Sequence, residues 1–448
     1  MIASKTLPTI PNAQRMLSKL RDAIAADLEG TVVSIGSQTI TLQGLRAPVG
    51  ADCIVSTTNG ESTEAIVVAA DRNELSIAPL AGTGGITIGA RATLKSVTPS
   101  IAVGEELLGR VVDCYARPLE GSSAIATCDC QPLTPRPLSP TERVPINQVL
   151  HTGVRAIDSF LTVGRGQRIG IFAGTGVGKS SLLGMLARGT EADVVVLGMI
   201  GERGREVQDF LEHEIDEPLR PKCVTVVETG EQPAARRLRA AQTATAIAEY
   251  FRDQGKHVLL LVDSITRCAQ AQREIGLAAG EPPATRGFPP SVFAVLPKLV
   301  ERAGTVCLPD ARVGSITGIY NVLVEGDDPN EPISDTMRGV LDGHIQLSRS
   351  LAEQGHYPAI DIPASISRLQ SRLLSKETLG QTQRIRRRIS DYRDHEDLIN
   401  IGAYQDGANP RVDQAIACKP AIDDFLRQTP TERYEATQIA RQLDELAN

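Results

Sequence analysis

Arg168-Ile-Gly-Ile-Phe-Ala-Gly-Thr-Gly-Val-Gly-Lys-Ser-Ser-Leu-Leu183 decides how the rest of this chain is read. Ile169 to Phe172 is a short apolar run and predicts a buried strand. Ala173 to Gly178 is a loop of small residues, and Lys179-Ser180-Ser181 opens a stretch of helical character that runs to Arg188. Strand, loop and helix start in that order make a phosphate-binding loop. Its glycines let backbone N–H groups turn inward onto phosphate oxygens, and the helix N-terminus adds the positive end of its dipole. Gly174, Thr175, Gly176, Val177, Gly178, Lys179, Ser180 and Ser181 are therefore the expected nucleotide-binding residues. Lys179 would reach the β- and γ-phosphates, and the Ser180 hydroxyl would bind Mg²⁺. One position departs from the G-x-x-x-x-G-K-[ST] pattern: Ala173 stands at the first glycine, a mild change if its φ is negative. The competing reading is a glycine-rich turn that binds nothing.

Length and composition set the frame. A chain of 448 residues predicts two or three domains, and 41% hydrophobic residues suffice for a large core. Aromatics make up only 3% and Trp is absent, which argues against stacking platforms for bases. A net charge of −7 argues against general nucleic-acid binding. The one basic cluster, Arg384-Ile-Arg-Arg-Arg388, reads as a solvated helix face. Eight cysteines are scattered, and the Cys128/Cys130 pair alone is weak metal evidence, so reduced thiols in a cytoplasmic protein are expected. No signal peptide or membrane-length apolar run is visible, so membrane association is expected to be peripheral or through a partner.

The character of the chain changes along its length. Residues 1–28 carry Met16, Leu20, Ile24 and Leu28 at helical spacing, predicting an amphipathic helix that is either a partner-binding arm or folded onto its own domain. Residues 29–97 read as a small β-barrel: Ile40 and Leu42 alternate with Thr, Asn59-Gly60 is a hairpin signal, and Ala65–Ala69, Leu75–Ile77 and Ile86–Ile88 are short strand pieces. Residues 98–370 alternate strands with helices. Strands are expected at Val194–Met199, Val224–Val227, His257–Val262, Ser291–Leu296 and Ser315–Val324, and a helix at Ala234–Arg252. That alternation predicts an α/β P-loop domain with a mainly parallel sheet covered on both faces. Residues 371–448 read as a small helical domain, with helices at Gln381–Leu398, Pro410–Gln428 and Thr431–Ala447.

Two carboxylates complete the expected site. His257-Val-Leu-Leu-Leu-Val-Asp263 is an apolar strand expected beside the phosphate-loop strand, its terminal Asp263 holding the Mg²⁺ shell through water. Met199-Ile-Gly-Glu-Arg-Gly-Arg-Glu-Val207 follows another buried strand, and Glu202 would emerge where the γ-phosphate sits and polarise the attacking water. Arg203 would position Glu202 or neutralise charge. The alternative is a surface ion-pair cluster of Glu202, Arg203, Arg205 and Glu206.

Gly201-Glu-Arg-Gly-Arg-Glu206 resembles the catalytic-glutamate segment of rotary ATP synthase β subunits, and Pro358-Ala-Ile-Asp-Ile-Pro-Ala-Ser-Ile-Ser-Arg368 resembles the segment that ends in their arginine finger. Within that superfamily the chain resembles the export ATPases of bacterial type III secretion systems and flagella. Four stretches carry this: Phe172–Ser180, Thr285-Arg-Gly-Phe-Pro-Pro-Ser-Val-Phe293, Leu296-Pro-Lys-Leu-Val-Glu-Arg-Ala-Gly304 and Ile401-Gly-Ala-Tyr-Gln405. Ala173 is usual in the export family, and Phe288 stands where Tyr is common. No counterpart of the synthase adenine-stacking Tyr is read after Arg368, so the base pocket stays open.

The resemblance implies a Mg²⁺-dependent ATPase working as a homohexamer. Lys179, Ser180, Glu202 and Asp263 would come from one subunit and Arg368 from its neighbour. It implies action at the inner face of the cytoplasmic membrane. The implied partners are a stator-like regulator at the N-terminal region, a central stalk protein, the export gate and chaperone–effector complexes. Three rival readings stand beside it. An ion-coupled rotary or vacuolar-type subunit is opposed by Ala173 and the wording around Pro289. A hexameric nucleic-acid translocase is opposed by residues 1–96, which contain no Trp, Tyr or Phe. A non-catalytic assembly subunit is opposed by the presence of both Lys179 and Glu202.

Overall fold

A computed structural model describes residues 29–120, 129–324, 326, 328 and 331–447. The expected amphipathic helix of residues 1–28 lies outside the described residues, as does Cys128.

The first unit is a closed barrel of six strands: β1 Glu29–Ile35, β2 Ile40–Gln43, β3 Asp52–Ser56, β4 Ser62–Ala70, β5 Glu74–Pro79 and β6 Arg91–Ser96. Alternation builds it: Ile40 and Leu42 are fully buried while Gln43 faces out. Asn59-Gly60 lies in the β3–β4 turn, where Gly60 takes a φ of 80°. Ile86–Ile88 is not a strand. It lies in a turn between Gly85 and Gly89, both at positive φ, with Ile86 buried and Ile88 exposed.

The central unit is a nine-stranded sheet. Its strands are β7 Val111–Val112, β8 Arg168–Ala173, β9 Val194–Ile200, β10 Cys223–Glu228, β11 His257–Asp263, β12 Gly304–Cys307, β13 Val313–Leu323, β14 Gly343–Gln346 and β15 Ile366–Ser367. They run in the order β15-β14-β8-β13-β11-β9-β10-β7, with β12 paired onto β13, and only the β12 and β15 pairings are antiparallel. Both faces are buried. On β11, Leu259 and Leu261 join one core, and Val258, Leu260 and Val262 join the other. The first core contains the helix that follows the phosphate loop, α2 Lys179–Gly189, and the second contains α4 Ala234–Asp253.

Two expectations change here. β11 is not beside β8, because β13 lies between them and pairs with both. Periodicity identifies a buried strand but says nothing about its neighbours. Ser291–Leu296 is not a strand but part of helix α6 Pro290–Val300. Val292, Leu296, Leu299 and Val300 are its buried residues, the spacing of one helix face, and Pro290 occupies the first helical turn, where its missing N–H costs nothing.

The C-terminal unit packs α8 Lys376–Asn400, α9 Pro410–Leu426 and α10 Ala436–Ala447, the last beginning later than the expected Thr431. Ile385, Ile422, Phe425, Ile439 and Leu443 share one core with the phosphate-loop face of the sheet. The barrel is joined differently, by a small seam of Ala78 and Leu80 against Ala234, Ala235, Ala271 and Ile275, and by the buried Arg239–Asp52 ion pair.

Candidate nucleotide site

The loop after β8 is built for an anion. Gly176 and Gly178 take φ values of 80° and 86°, open to glycine and strained for other residues. Gly178 then caps the start of α2, so the first helical residues are Lys179, Ser180 and Ser181. Ala173 is the last residue of β8 and fully buried, with no positive φ, so the strand accommodates its methyl group. Gly174 and Val177 are buried, whereas Thr175, Gly176 and Ser180 are exposed.

Three charged side chains meet beside this loop. Lys179 Nζ lies 2.9 Å from Asp263 Oδ1 and 3.7 Å from Glu202 Oε1. All three side chains are at most 14% exposed. Burial disfavours the Lys179 ammonium, but the Asp263 and Glu202 carboxylates outweigh that and hold its pKa above the usual value. Glu202 is pushed up to about 7 by burial and by the Asp263 carboxylate, against the pull of Lys179 and Arg267. Glu202 Oε1 is buried without a hydrogen-bond donor.

Backbone contacts hold Glu202 in place. Gly201 N donates to Glu228 O at 2.7 Å, and Gly230 N donates to Glu202 O at 3.0 Å. Gly201 has a φ of 73°, and a Cβ there would stand 2.7 Å from Arg267 Cβ. Only glycine suits both conditions.

Arg203 is not part of the cluster. Its side chain is 87% exposed and lies 3.8 Å from Glu206, and the cation acting on Glu202 besides Lys179 is Arg267. Two other residues escaped the sequence reading. Asn321, fully buried on β13, donates from Nδ2 to Asp263 Oδ1 at 2.6 Å. A polar residue within an apolar strand was the available signal. Tyr357 lies over the loop itself: a Cβ on Gly178 would come within 3.1 Å of its ring carbons, and the ring is 42% exposed. This aromatic precedes Arg368 rather than following it.

Arg368 sits elsewhere. Its N–H donates to Asp342 O at 2.9 Å, and the Asp342 carboxylate binds Arg168 at the amino end of β8. The phosphate loop leaves the carboxyl end, and six residues of strand at about 3.3 Å each separate the two by roughly 17 Å. Arg368 is exposed, with one guanidinium N–H donating to Arg338 O at 3.0 Å.

The donor set fits a magnesium ion carried by the substrate. Among the described residues no group of three or more His, Cys, Asp or Glu side chains is placed to hold a metal. Mg²⁺ commonly takes one or two protein ligands and completes its shell with water and substrate phosphates. Ser180 beside the loop and Asp263 at the end of β11 are the residues that would supply such a pair.

Comparison with known proteins gives the family. Residues 153–367 match the family model for the nucleotide-binding domain of the ATP synthase alpha/beta family, and residues 374–445 match that for the T3SS EscN ATPase C-terminal domain. The chain is 49% identical over 404 residues to the flagellum-specific ATP synthase of Pseudomonas aeruginosa, covering 90% of this chain and 89% of that protein. Its fold superposes on the assembled ATPase EscN of the enteropathogenic E. coli type III secretion system with a TM-score of 0.88 and 44% identity, covering 94% of this chain and 100% of that one. EscN in complex with its central stalk EscO gives a TM-score of 0.84 and 43% identity over the same shares. The chain is an ATP-hydrolysing enzyme and belongs to the family of flagellar and type III secretion ATPases, a branch of the ATP synthase alpha/beta family.

Proposed function

We propose that this chain hydrolyses Mg·ATP in a homohexameric ring, releasing chaperones from exported proteins, unfolding those proteins and energising their export. The unit that turns over ATP spans residues 98–370, with the barrel of 29–97 and the helices of 371–448 attached to it. Gly174 to Ser181 cradle the phosphates. Lys179 exchanges its carboxylate partners for the β- and γ-phosphates, and Ser180 and Asp263 would hold Mg²⁺, Asp263 through water. Bound Mg²⁺ supplies neutralisation of phosphate charge. Glu202 accepts a proton from the attacking water and orients it. Tyr357 stacks on the base, and Asn321 and Arg267 keep the two carboxylates in position.

The observation that carries this reading is the separation of Arg368 from its own phosphate loop by the length of β8. A guanidinium at that end serves a loop only across a subunit boundary, as a ring provides. Its permanent charge and planar donor fork suit phosphate oxygens. The complex of EscN with its central stalk supports a stalk partner in the ring. A stator-like regulator, the export gate and chaperone–effector complexes complete the proposed partners. No helix among the described residues is long and apolar enough to cross a membrane. The proposed place is peripheral, at the inner face of the cytoplasmic membrane, held through partners.

Mixing two inactive variants tests this. Arg368→Ala removes the finger everywhere, at a cost on the order of 10³–10⁵ in rate, and Lys179→Ala disables every loop. Mixed rings contain some interfaces with an intact loop facing an intact finger, so single-turnover hydrolysis should reappear on mixing. Verified mixed rings that stay inactive in a single turnover would sink the trans arrangement.

A further inference from the structure

We infer that Gln428 is a positioning residue for the base side of the nucleotide site, fastening the Tyr357 segment to the C-terminal helices. The inference builds on the reading of Tyr357 as the base-stacking residue. Gln428 lies just beyond α9 and is 4% exposed. Its buried amide has three hydrogen bonds. Oε1 accepts from Arg155 N at 3.0 Å, and Nε2 donates to Gly153 O at 2.8 Å and to Glu432 O at 3.0 Å. Its backbone N–H donates to Tyr357 O at 2.9 Å.

One residue thus ties together three segments distant in sequence. Each has its own link to the site or to the C-terminal unit. Gly153 packs on the far end of the phosphate-loop helix, where a Cβ on Gly189 would stand 2.1 Å from Thr152 O. Tyr357 covers the near end, over Gly178. Beside Gln428, Arg155 donates to the carbonyls of Asp424 and Arg427, with its guanidinium 4.2 Å from the centre of the Tyr434 ring. The loop after α9 is therefore pinned to both ends of that helix through a satisfied buried amide, the kind of node that holds one geometry.

The phosphate-binding groups have anchors of their own besides the Gln428 node, since Lys179 is also held by Asp263 and Glu202. Lys179, Glu202 and Asp263 sit at the ends of central strands and at the start of α2. Loosening Gln428 should therefore degrade recognition of the base and spare that of the phosphates.

The test is steady-state ATP hydrolysis by the full chain carrying Gln428→Met, Tyr357→Ala or both. Inorganic tripolyphosphate, which has no base, serves as a competitive inhibitor. Tyr357→Ala should raise the KM for ATP about tenfold, the scale of one aromatic–base stack. Gln428→Met should raise it about threefold to tenfold through the lost hydrogen bonds, with kcat within about twofold of wild type. Its effect should vanish in the Tyr357→Ala background, because residues acting through one another are not additive. Tripolyphosphate inhibition should be unchanged. Weakening of tripolyphosphate as much as ATP, or an equal effect of Gln428→Met with and without Tyr357, would overturn the inference. A wild-type KM in Tyr357→Ala would overturn the base reading itself, a separate result. Gln428→Glu, which sets a carboxylate against the carbonyls of Gly153 and Glu432, should raise KM further than Gln428→Met. If Gln428→Met folds poorly, Gln428→Glu alone decides: a wild-type KM for ATP, or an equal weakening of tripolyphosphate, counts against the inference.

Discussion

The two ends of strand β8 hold opposite kinds of chemistry. At the carboxyl end, Lys179, Glu202 and Asp263 form a buried cluster whose charges constrain one another. At the amino end, Arg168 is tied to Asp342 and Glu301, and Arg368 stands exposed beside them. The buried end has what is needed to bind phosphate and polarise water. The exposed end has a cation with no anion of matching importance among its described contacts. That difference is what the proposed ring rests on: one chain would carry two halves of two sites, completed by a copy of itself.

Breaking the buried end should have the largest effect. Lys179→Ala removes the one cation shared by both carboxylates, and hydrolysis should fall to background in a colorimetric phosphate assay. Turnover near wild type in a preparation free of contaminating ATPase would remove the phosphate-loop assignment. Glu202→Gln separates binding from chemistry at the same end. The amide keeps the shape but loses the basic carboxylate, so turnover should fall about 10²–10⁴-fold while fluorescent-nucleotide binding persists. Loss of affinity with normal turnover per bound ATP would make Glu202 a binding residue.

The smallest effect sharpens the comparison by pH. Burial and the Asp263 carboxylate raise Glu202 to about 7, and the base is active only when deprotonated. As pH falls through 7, kcat/KM should therefore decline, approaching about tenfold per unit well below that value. Lys179, held above its usual value, stays protonated across this range and adds no step of its own. Glu202→Gln should flatten the profile. A wild-type profile with no inflection between pH 6 and 8 would place the controlling group elsewhere.

Much of the site was legible because nucleotide chemistry leaves local marks. Gly178-Lys179-Ser180 needs only its own strand and helix start, and Asp263 announces itself as a charge closing an apolar run. What stayed hidden depended on neighbours. Asn321 matters because β13 inserts between β8 and β11, an order that no periodicity encodes. Arg203 looked like the partner of Glu202 because it follows it in sequence, yet it caps the start of the next helix in solvent while Arg267 packs against Gly201. The apolar run at Ser291–Leu296 was ambiguous because a short buried segment has the same composition in a strand and in a helix.

By itself, the sequence determined the three-part architecture, the phosphate loop and the two carboxylates, because each rests on residues close together in the chain. Only the tertiary structure decided which residues complete them. It placed Tyr357 over Gly178, joined Gln428 to Arg155, and set Arg368 at the far end of β8 from its own loop. These pairings cross from about 180 to more than 270 residues of chain. They exist because burying both faces of one sheet and closing the C-terminal helices onto it brings those segments together.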